Sequence, residues 1–480
     1  MTETFADLVA CEDALLFVNA AVTSTGQREF HDEHEHGQRL SLEFLHEYMR
    51  ENYRDLYAAT LALNVNDHNA ALIVRNLLVH AGAVGPDARR AEGRLIARRL
   101  ELMPPQRVYR LFGDLRRAKV NNRRTRAIVR DWLAARRDPA FDAVKYRAGV
   151  KAVARHAHLA LPDELGPFLF APPRSRPVFT TPIFETWRRA HHSKSAVYEL
   201  PYTVAEGLAA KHRIPREEFL KRIEPRMTRL ERLRLQRAAG EHRADEVVAR
   251  TDLAAMPLTR LASYALSLPL DERAARRAEL TGALRAAAVR TAGPDAGGWG
   301  RVTAVLDDSF STTGSHRKRR RPLAVALACD YLLEALAAPG GYTPLWTSGR
   351  TDALLLYPSG PTPLGERLLD ALDTAPERLI IVSDGWDNAP PGLAAQVLTV
   401  WRTRLDPDRR VMITHLNPVY DAADFQVRGL APTVPTGGIR DAEDLPALVE
   451  VARFAEGRVG LADLRGHLDA LTARFLGEAG

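Results

Sequence analysis

Residues 290–301 read RTAGPDAGGWGR, and the hydrophobic pattern differs on the two sides of this Gly- and Pro-rich break. Before it, stretches such as NYRDLYAATLAL, HNAALIVRNLLVHAG and EGRLIARRLELM place apolar residues three and four positions apart, the spacing that gives a helix one buried face. After it, RVTAVLD (301–307), RLIIVSD (378–384) and RVMITHL (410–416) are short Val- and Ile-rich runs, which suit buried parallel strands. PLAVALACDYLLEALA, PLGERLLDALD and GLAAQVLTVWRTRL lie between those runs with helical spacing. Parallel strands need crossover connections, so this half predicts a doubly wound α/β sheet with its ligand site at the carboxyl ends of the strands. The expected organisation is an all-α region over 1–290, an α/β domain over 298–460, and a C-terminal helix over 461–480 packed on one of them. A chain of 480 residues fits two or three such domains.

The helical part carries weak internal similarity. MPPQRVYRLFGDL from Met103, PRMTRLERLRL from Pro225 and MPLTRLASYALSL from Met256 each set a Pro ahead of an Arg- and Leu-rich helix. The pattern predicts stacked helical hairpins, each burying its apolar stripe against its neighbours. The period is irregular, so a nonrepetitive helical domain is the alternative. APPRSRPVFTTPIFETW (171–187) holds four Pro residues and cannot be one continuous helix.

Composition removes several classes. Hydrophobic residues make up 46% and charged residues 26%, which is globular rather than disordered. The only cysteines, Cys11 and Cys329, offer no disulfide framework or thiolate zinc cluster, and a reducing compartment fits. The N-terminal stretch has no basic n-region, and no run of about 18 apolar residues occurs. The expected location is cytoplasmic, without a membrane partner.

Chemistry concentrates at the predicted strand ends. Asp307 ends the first strand, Ser309 and Ser311 follow at steps of two, Thr362 precedes a helix, and Asp384 ends the next strong strand. Two carboxylates and three hydroxyls from separate loops suit a hard divalent cation, Mg²⁺ or Mn²⁺, rather than zinc. Their two charges nearly balance the ion and leave it Lewis acidic toward one incoming oxygen, a partner carboxylate or a phosphate. Asp308 and Asp387 stand nearby, either behind the ligands or in solvent. His415 is the one nearby His, and no nucleophile with its base accompanies it, so an enzyme is not expected. The Asp-x-Ser-x-Ser, Thr and Asp pattern in its strand context resembles the von Willebrand factor A domain and its metal-ion-dependent adhesion site.

Positive charge is uneven. The whole chain carries +7, yet Arg116 to Arg155 holds 13 Arg and Lys against three Asp, +10 in 40 residues. Arg116, Arg117, Lys119, Arg123, Arg124, Arg126, Lys145, Arg147, Lys151, Arg155, His156 and His158 are the candidate nucleic-acid contacts, since cations neutralise phosphates and His can bond to or stack on bases. Arg317, Lys318, Arg319, Arg320 and Arg321 form a second run beside the first ion loop, either a solvated loop or a patch for an anionic ligand.

A helical region followed by an A-type domain is similar to the TROVE and Ro60 family of RNA-binding proteins. RAIVRDWLAARRDPAFDAVKYRAGVKAVARHAH (126–158) and LPYTVAEGLAAK (200–211) carry the resemblance through their Trp, the KY pair, the downstream His and the LPY phrase. It implies HEAT-like repeats closed into a ring by the A domain. It also implies a non-catalytic ribonucleoprotein role, with small noncoding Y-like RNA and misfolded structured RNA bound in quality control or processing beside an exoribonuclease. Lys145, Arg147, Arg155, His156 and His158 fall in the matching RNA-contacting segment. The family's His-containing phrase is only weakly matched by GVKAVARHAH, which makes general RNA binding the firmer expectation than Y RNA recognition. A scaffold that uses the ion to hold a partner's carboxylate is the alternative function.

Overall fold

Five parallel strands form one sheet: β1 (Val302–Leu306), β2 (Tyr342–Trp346), β3 (Arg378–Val382), β4 (Met412–Asn417) and β5 (Thr436–Gly438), in the order β2-β1-β3-β4-β5. This is a computed structural model describing residues 5–23, 35–63, 65–162, 164–171, 178–228, 231, 253, 256–314, 320–419, 428–455 and 461–477. β1, β3 and β4 coincide with the three Val- and Ile-rich runs. β2 (YTPLW) and β5 (TGG) are edge strands. Pro344 is tolerated in β2 because an edge strand has one side without a ladder.

The chain divides into two compact units, residues 1–73 with 252–480, and residues 74–251. In the first unit the Arg321–Leu336 helix is buried from Pro322 through Leu333. It lies against β1 on one side and against the Leu258–Ser267 and Arg277–Ala292 helices on the other. That burial explains why PLAVALACDYLLEALA is apolar all round instead of amphipathic. The other sheet face packs Val305, Leu379, Ile381 and Ile413 against Leu364, Leu368 and Leu398. Gly365 is required there, because a Cβ would meet Leu393 at 2.3 Å. The first helix, α1 (Phe5–Thr23), packs on β5 and the Leu445–Ala455 helix, with Asn19 donating to Thr436 O at 3.4 Å. The Leu461–Leu476 helix packs on α1 and on α3 (Arg54–Ala59), which follows α2 (Glu35–Asn52). Both ends of the predicted helical region therefore belong to the compact unit that holds the sheet.

Asp330, in the central helix, accepts a 2.6 Å hydrogen bond from the Tyr342 hydroxyl, and burial pushes its carboxyl up to about 7. A raised pKa means that the protonated form fits the fold. The group's favourable contribution is full below its unfolded value near 4 and is lost as pH rises through about 7. Asp330→Asn keeps the acceptor and removes the charge. It is expected to stabilise the protein by up to about 4 kcal/mol at pH 8 and to change little at pH 4, read from melting curves at both pH values.

The second unit contains α4 (Asp67–Val79) from Val74 onward, followed by α5 (Pro86–Leu102), α6 (Pro105–Arg117), α7 (Arg123–Ala134), α8 (Pro139–Lys145), α9 (Arg147–His156), α10 (Leu165–Phe170), α11 (Pro182–Ala190), α12 (Lys194–Val197), α13 (Tyr202–Lys211) and α14 (Arg216–Ile223). α5 packs on α7, α6 on α9, and α8 on α9 and α11, while α11, α12, α13 and α14 pack in succession. Trp132 of α7 donates to Leu100 O of α5 at 3.0 Å and meets Tyr109 and Phe112 of α6 edge-on. Pro104 and Pro257 occupy N-cap positions, as their phrases suggest, where a missing N–H costs nothing. Pro225 differs: it sits in the 3₁₀ turn Glu224–Arg226 that closes the α14 segment. Thr228 and Glu231 exchange capping bonds beyond that turn.

Candidate ion site and nucleic-acid interface

In a parallel sheet of order 2-1-3-4-5 the crossovers change direction between β1 and β3, which opens a crevice at their carboxyl ends. Asp307 and Asp384 follow those two strands, and Asp307 N is bonded to Val382 O at 3.0 Å. Both carboxylates are buried, and burial, then the charge of Asp384, pushes Asp307 up to about 6. Asp307 Oδ1 accepts from Ser309 N at 2.8 Å and from Thr347 Oγ1 at 3.2 Å, whereas its buried Oδ2 has no hydrogen-bond partner among the described residues. Ser309 and Ser311 hydroxyls lie 3.1 Å apart. The loop holding Thr362 is tied to the same edge: Phe310 N donates to Gly360 O at 3.1 Å, and Thr362 N donates to Asn388 Oδ1 at 2.8 Å.

Asp307, Ser309, Ser311 and Asp384 thus follow the carboxyl ends of β1 and β3, and the loop that holds Thr362 is hydrogen-bonded to Phe310 between the two serines. A buried carboxylate oxygen without a donor is costly unless a cation meets it, and an all-oxygen donor set suits a hard ion. Among the described residues no group of three or more His, Cys, Asp or Glu could hold a metal, which leaves the mixed hydroxyl and carboxylate set as the candidate.

The neighbouring acids have specific positions. Asp308 is fully buried and takes bonds from Thr347 Oγ1, Ser348 N, Ser348 Oγ and Arg350 Nη1, at 2.6 to 3.2 Å. It pins the loop after β2 from beneath. Asp387 Oδ2 accepts from Ala394 N at 2.7 Å at the start of the Leu393–Val400 helix. His415 is buried with Nε2 on Ser383 O at 3.0 Å and Nδ1 on the Thr436 hydroxyl at 3.1 Å. Because the carbonyl can only accept, Nε2 carries the proton, and burial lowers the ring's pKa to about 4. It ties adjacent strands together and has no free nitrogen for acid–base work.

Of the second basic run, Arg320 donates to Leu266 O at 2.7 Å and Arg321 pairs with Asp441 at 3.0 Å. Both are engaged in the fold, which removes them from a free anion patch. Arg317, Lys318 and Arg319 lie outside the described residues.

The Arg116–Arg155 segment sorts into engaged and free cations. Arg117 pairs with Asp114, and Arg124 with the buried Glu92 at 3.2 Å. Arg147 donates to Phe168 O at 2.9 Å and Leu169 O at 3.2 Å, covering the end of α10, and its guanidinium lies over Phe168 and Trp187. Burial lowers its pKa. His156 Nε2 meets Val120 O at 2.9 Å. Arg124, Arg147 and His156 therefore hold helices together, and the accessible part of the expected RNA surface is narrower than the charge count.

Arg116, Lys119, Arg123, Arg126 and Arg155 are exposed and have no ion-pair partner among the described residues. Arg116 lies in the last turn of α6 and Lys119 two residues beyond its end, and Arg123 and Arg126 begin α7, across a turn held by Asn122 Oδ1 accepting from Thr125 N at 2.9 Å. Lys151 and Arg155 lie over the Phe170 ring at 5.4 and 5.0 Å, and Lys145 over Phe141 at 5.3 Å.

Three helices of this unit share one ending. Val120 N bonds Leu115 O, Leu159 N bonds Ala154 O and Ile214 N bonds Ala209 O, at 3.0 to 3.1 Å. The residue before each donor, Lys119, His158 or Arg213, has φ of 52 to 55°. Glycine is the least strained residue at that left-handed position. Each time a basic side chain stands there instead, at a cost of about 1 kcal/mol.

A second group was not read from the sequence. Trp187 and His191 rings are 4.2 Å apart, Lys211 Nζ donates to His191 Nδ1 at 3.0 Å, and His212 Nε2 meets Ala190 O at 2.7 Å. Its local signal is WRRAHHSK (187–194), which follows the Pro-rich stretch. Exposed Phe310 and Trp386, beside the ion ligands, also escaped notice, with Arg428 stacked 3.5 Å over Trp386.

No protein-family model matches the chain, and no curated protein matches it. Among solved structures it is similar to the crystal structure of the Deinococcus radiodurans Ro (RSR) protein, at 16% identity and a TM-score of 0.48, over 93% of this chain and 100% of that one.

Proposed function

We propose that this chain is a non-catalytic RNA-binding protein of the Ro60 type, acting on small noncoding RNA, Y-like RNA among it, and on misfolded structured RNA in quality control or processing. The observation that carries the reading is the set of exposed cations at the α6–α7 turn that have no ion-pair partner among the described residues. Exposed cations without carboxylate partners are the groups that can neutralise phosphates. Lys151 and Arg155 against Phe170 add the cation and aromatic combination that suits single-stranded RNA. The family resemblance of the 126–158 and 200–211 phrases supports the same reading and extends it to an exoribonuclease partner in the cytoplasm. Recovery of the protein from its native cells with and without ribonuclease, followed by sequencing of retained RNA, tests it. Ribonuclease-insensitive partners with no enriched RNA would refute it.

In this proposal Asp307, Ser309, Ser311, Thr362 and Asp384 hold one Mg²⁺ or Mn²⁺ ion, which supplies a Lewis-acidic position for one incoming oxygen. The orphaned Asp307 Oδ2 supports the assignment. A partner protein's carboxylate as that oxygen is a second reading, supported by exposed Phe310 and Trp386 beside the ligands, the composition of an interface centre. Mg²⁺ or Mn²⁺ is expected to raise the melting temperature of wild type and chelator to reverse it, while Asp307→Ala responds to neither. Identical responses of the two proteins would remove the ion site.

A further inference from the structure

Between the Leu270–Ala275 helix and the loop after β2 lies an open cleft of about 620 Å³. Leu270, Ala274 and Leu355 give it apolar walls, and Arg350, Tyr357 and Asp271 also line it. The Arg350 guanidinium lies 4.0 Å over the Tyr357 ring and is held from behind by buried Asp308 Oδ2 at 3.2 Å. Its charge is balanced there, so the cleft is a poor phosphate site. Tyr357 is 41% exposed and has ring surface to offer. Asp352 is already engaged by Arg277 and by Leu354 N. Asp271 is exposed and has no ion-pair partner among the described residues, so one acceptor-only group remains for a ligand.

An aromatic face, apolar walls and one free carboxylate select a planar ring that carries N–H donors. We infer that this cleft binds a nucleobase with an exocyclic amino group, adenine, guanine or cytosine, stacked on Tyr357 with its amino group donating to Asp271. Uracil has no amino group to offer: its one donor on that edge, N3–H, lies between two carbonyl oxygens that a carboxylate repels, which makes it the weaker ligand. The volume lies within the range of small-ligand sites. The inference rests on the cleft alone and not on the RNA reading.

Calorimetric titration of the full chain with adenosine, cytidine and uridine tests it, alongside single-stranded RNA tails of matching base composition. Adenosine and cytidine are expected to bind at least about fivefold more tightly than uridine, the discrimination one hydrogen-bonded edge supplies. Asp271→Asn should erase that preference, and Tyr357→Ala should weaken every base about tenfold, as loss of one stacking partner does. Both residues are exposed, and unchanged melting curves would confirm folding. Silent nucleosides with tail affinity that falls in both variants would identify the ligand as a base within RNA. Binding that ignores both substitutions, or no base-dependent binding of nucleosides or tails, overturns the site. Removing the cations of the α6–α7 turn should leave nucleoside binding unchanged, which separates this site's failure from that of the RNA surface.

Discussion

Replacing Arg116, Lys119, Arg123 and Arg126 together by Ala is expected to lower the slope of log affinity against log salt by roughly three and to weaken RNA binding on the order of a hundredfold at low salt. Each cation that neutralises a phosphate releases about 0.7 to 0.9 of a counterion, and these four are exposed without ion-pair partners among the described residues. Filter binding at four salt concentrations with one tailed, structured RNA reads both quantities. Arg147→Ala is the contrasting control. Its guanidinium serves the carbonyls of Phe168 and Leu169, so its loss should lower melting temperature more than it changes the salt slope. Equal slopes for wild type and the quadruple variant would remove the α6–α7 turn from the RNA surface.

Arg273→Met should destabilise the sheet-containing unit by about 4 kcal/mol. Arg273 is 2% exposed and donates to four carbonyls: Leu268 at 2.9 Å, Leu354 at 3.2 Å, Leu356 at 2.8 Å and Leu266 at 3.3 Å. The fork joins the end of the Leu258–Ser267 helix to the loop after β2. Met fills much of the volume but leaves those acceptors buried without donors. Burial, then the charge of Arg320, lowers the guanidinium pKa to about 10, still far above neutral pH, so the donors are all present. A fall in melting temperature of roughly 10 °C is expected. Arg273→Lys should recover only part of it, since an ammonium cannot span four carbonyls in a planar fork. A shift below 2 °C, about half a kcal/mol, would show that the carbonyls find other donors.

Much of the α/β half was legible because its signals are local. β1, β3 and β4 are runs of β-branched residues long enough to be read individually, and Asp307 and Asp384 stand at their ends. β2 and β5 were not legible. Pro344 argues against a strand wherever both sides must pair, and Thr436–Gly438 is too short and Gly-rich to carry a pattern. Only the sheet supplies the neighbour that makes each a strand. The Pro225 phrase matches the Met103 and Met256 phrases in composition; Pro225 itself sits in the 3₁₀ turn Glu224–Arg226 after α14, and most of the helix expected after it lies outside the described residues.

By itself the sequence determined where helices give way to strands, which loop residues stand at the strand ends, and that positive charge gathers in 116–155. These depend on spacing and residue type within a few positions. Tertiary structure decided which charges are available. Arg124 and Arg123 are adjacent and chemically identical, but Glu92, 32 residues upstream, reaches only the first. It also decided that residues 1–73 join the sheet-bearing unit, through contacts such as Asn19 to Thr436, 417 positions apart. An Arg side chain is long and flexible, and its partner is set by whichever acceptor the packed fold brings within reach, a property no local pattern encodes.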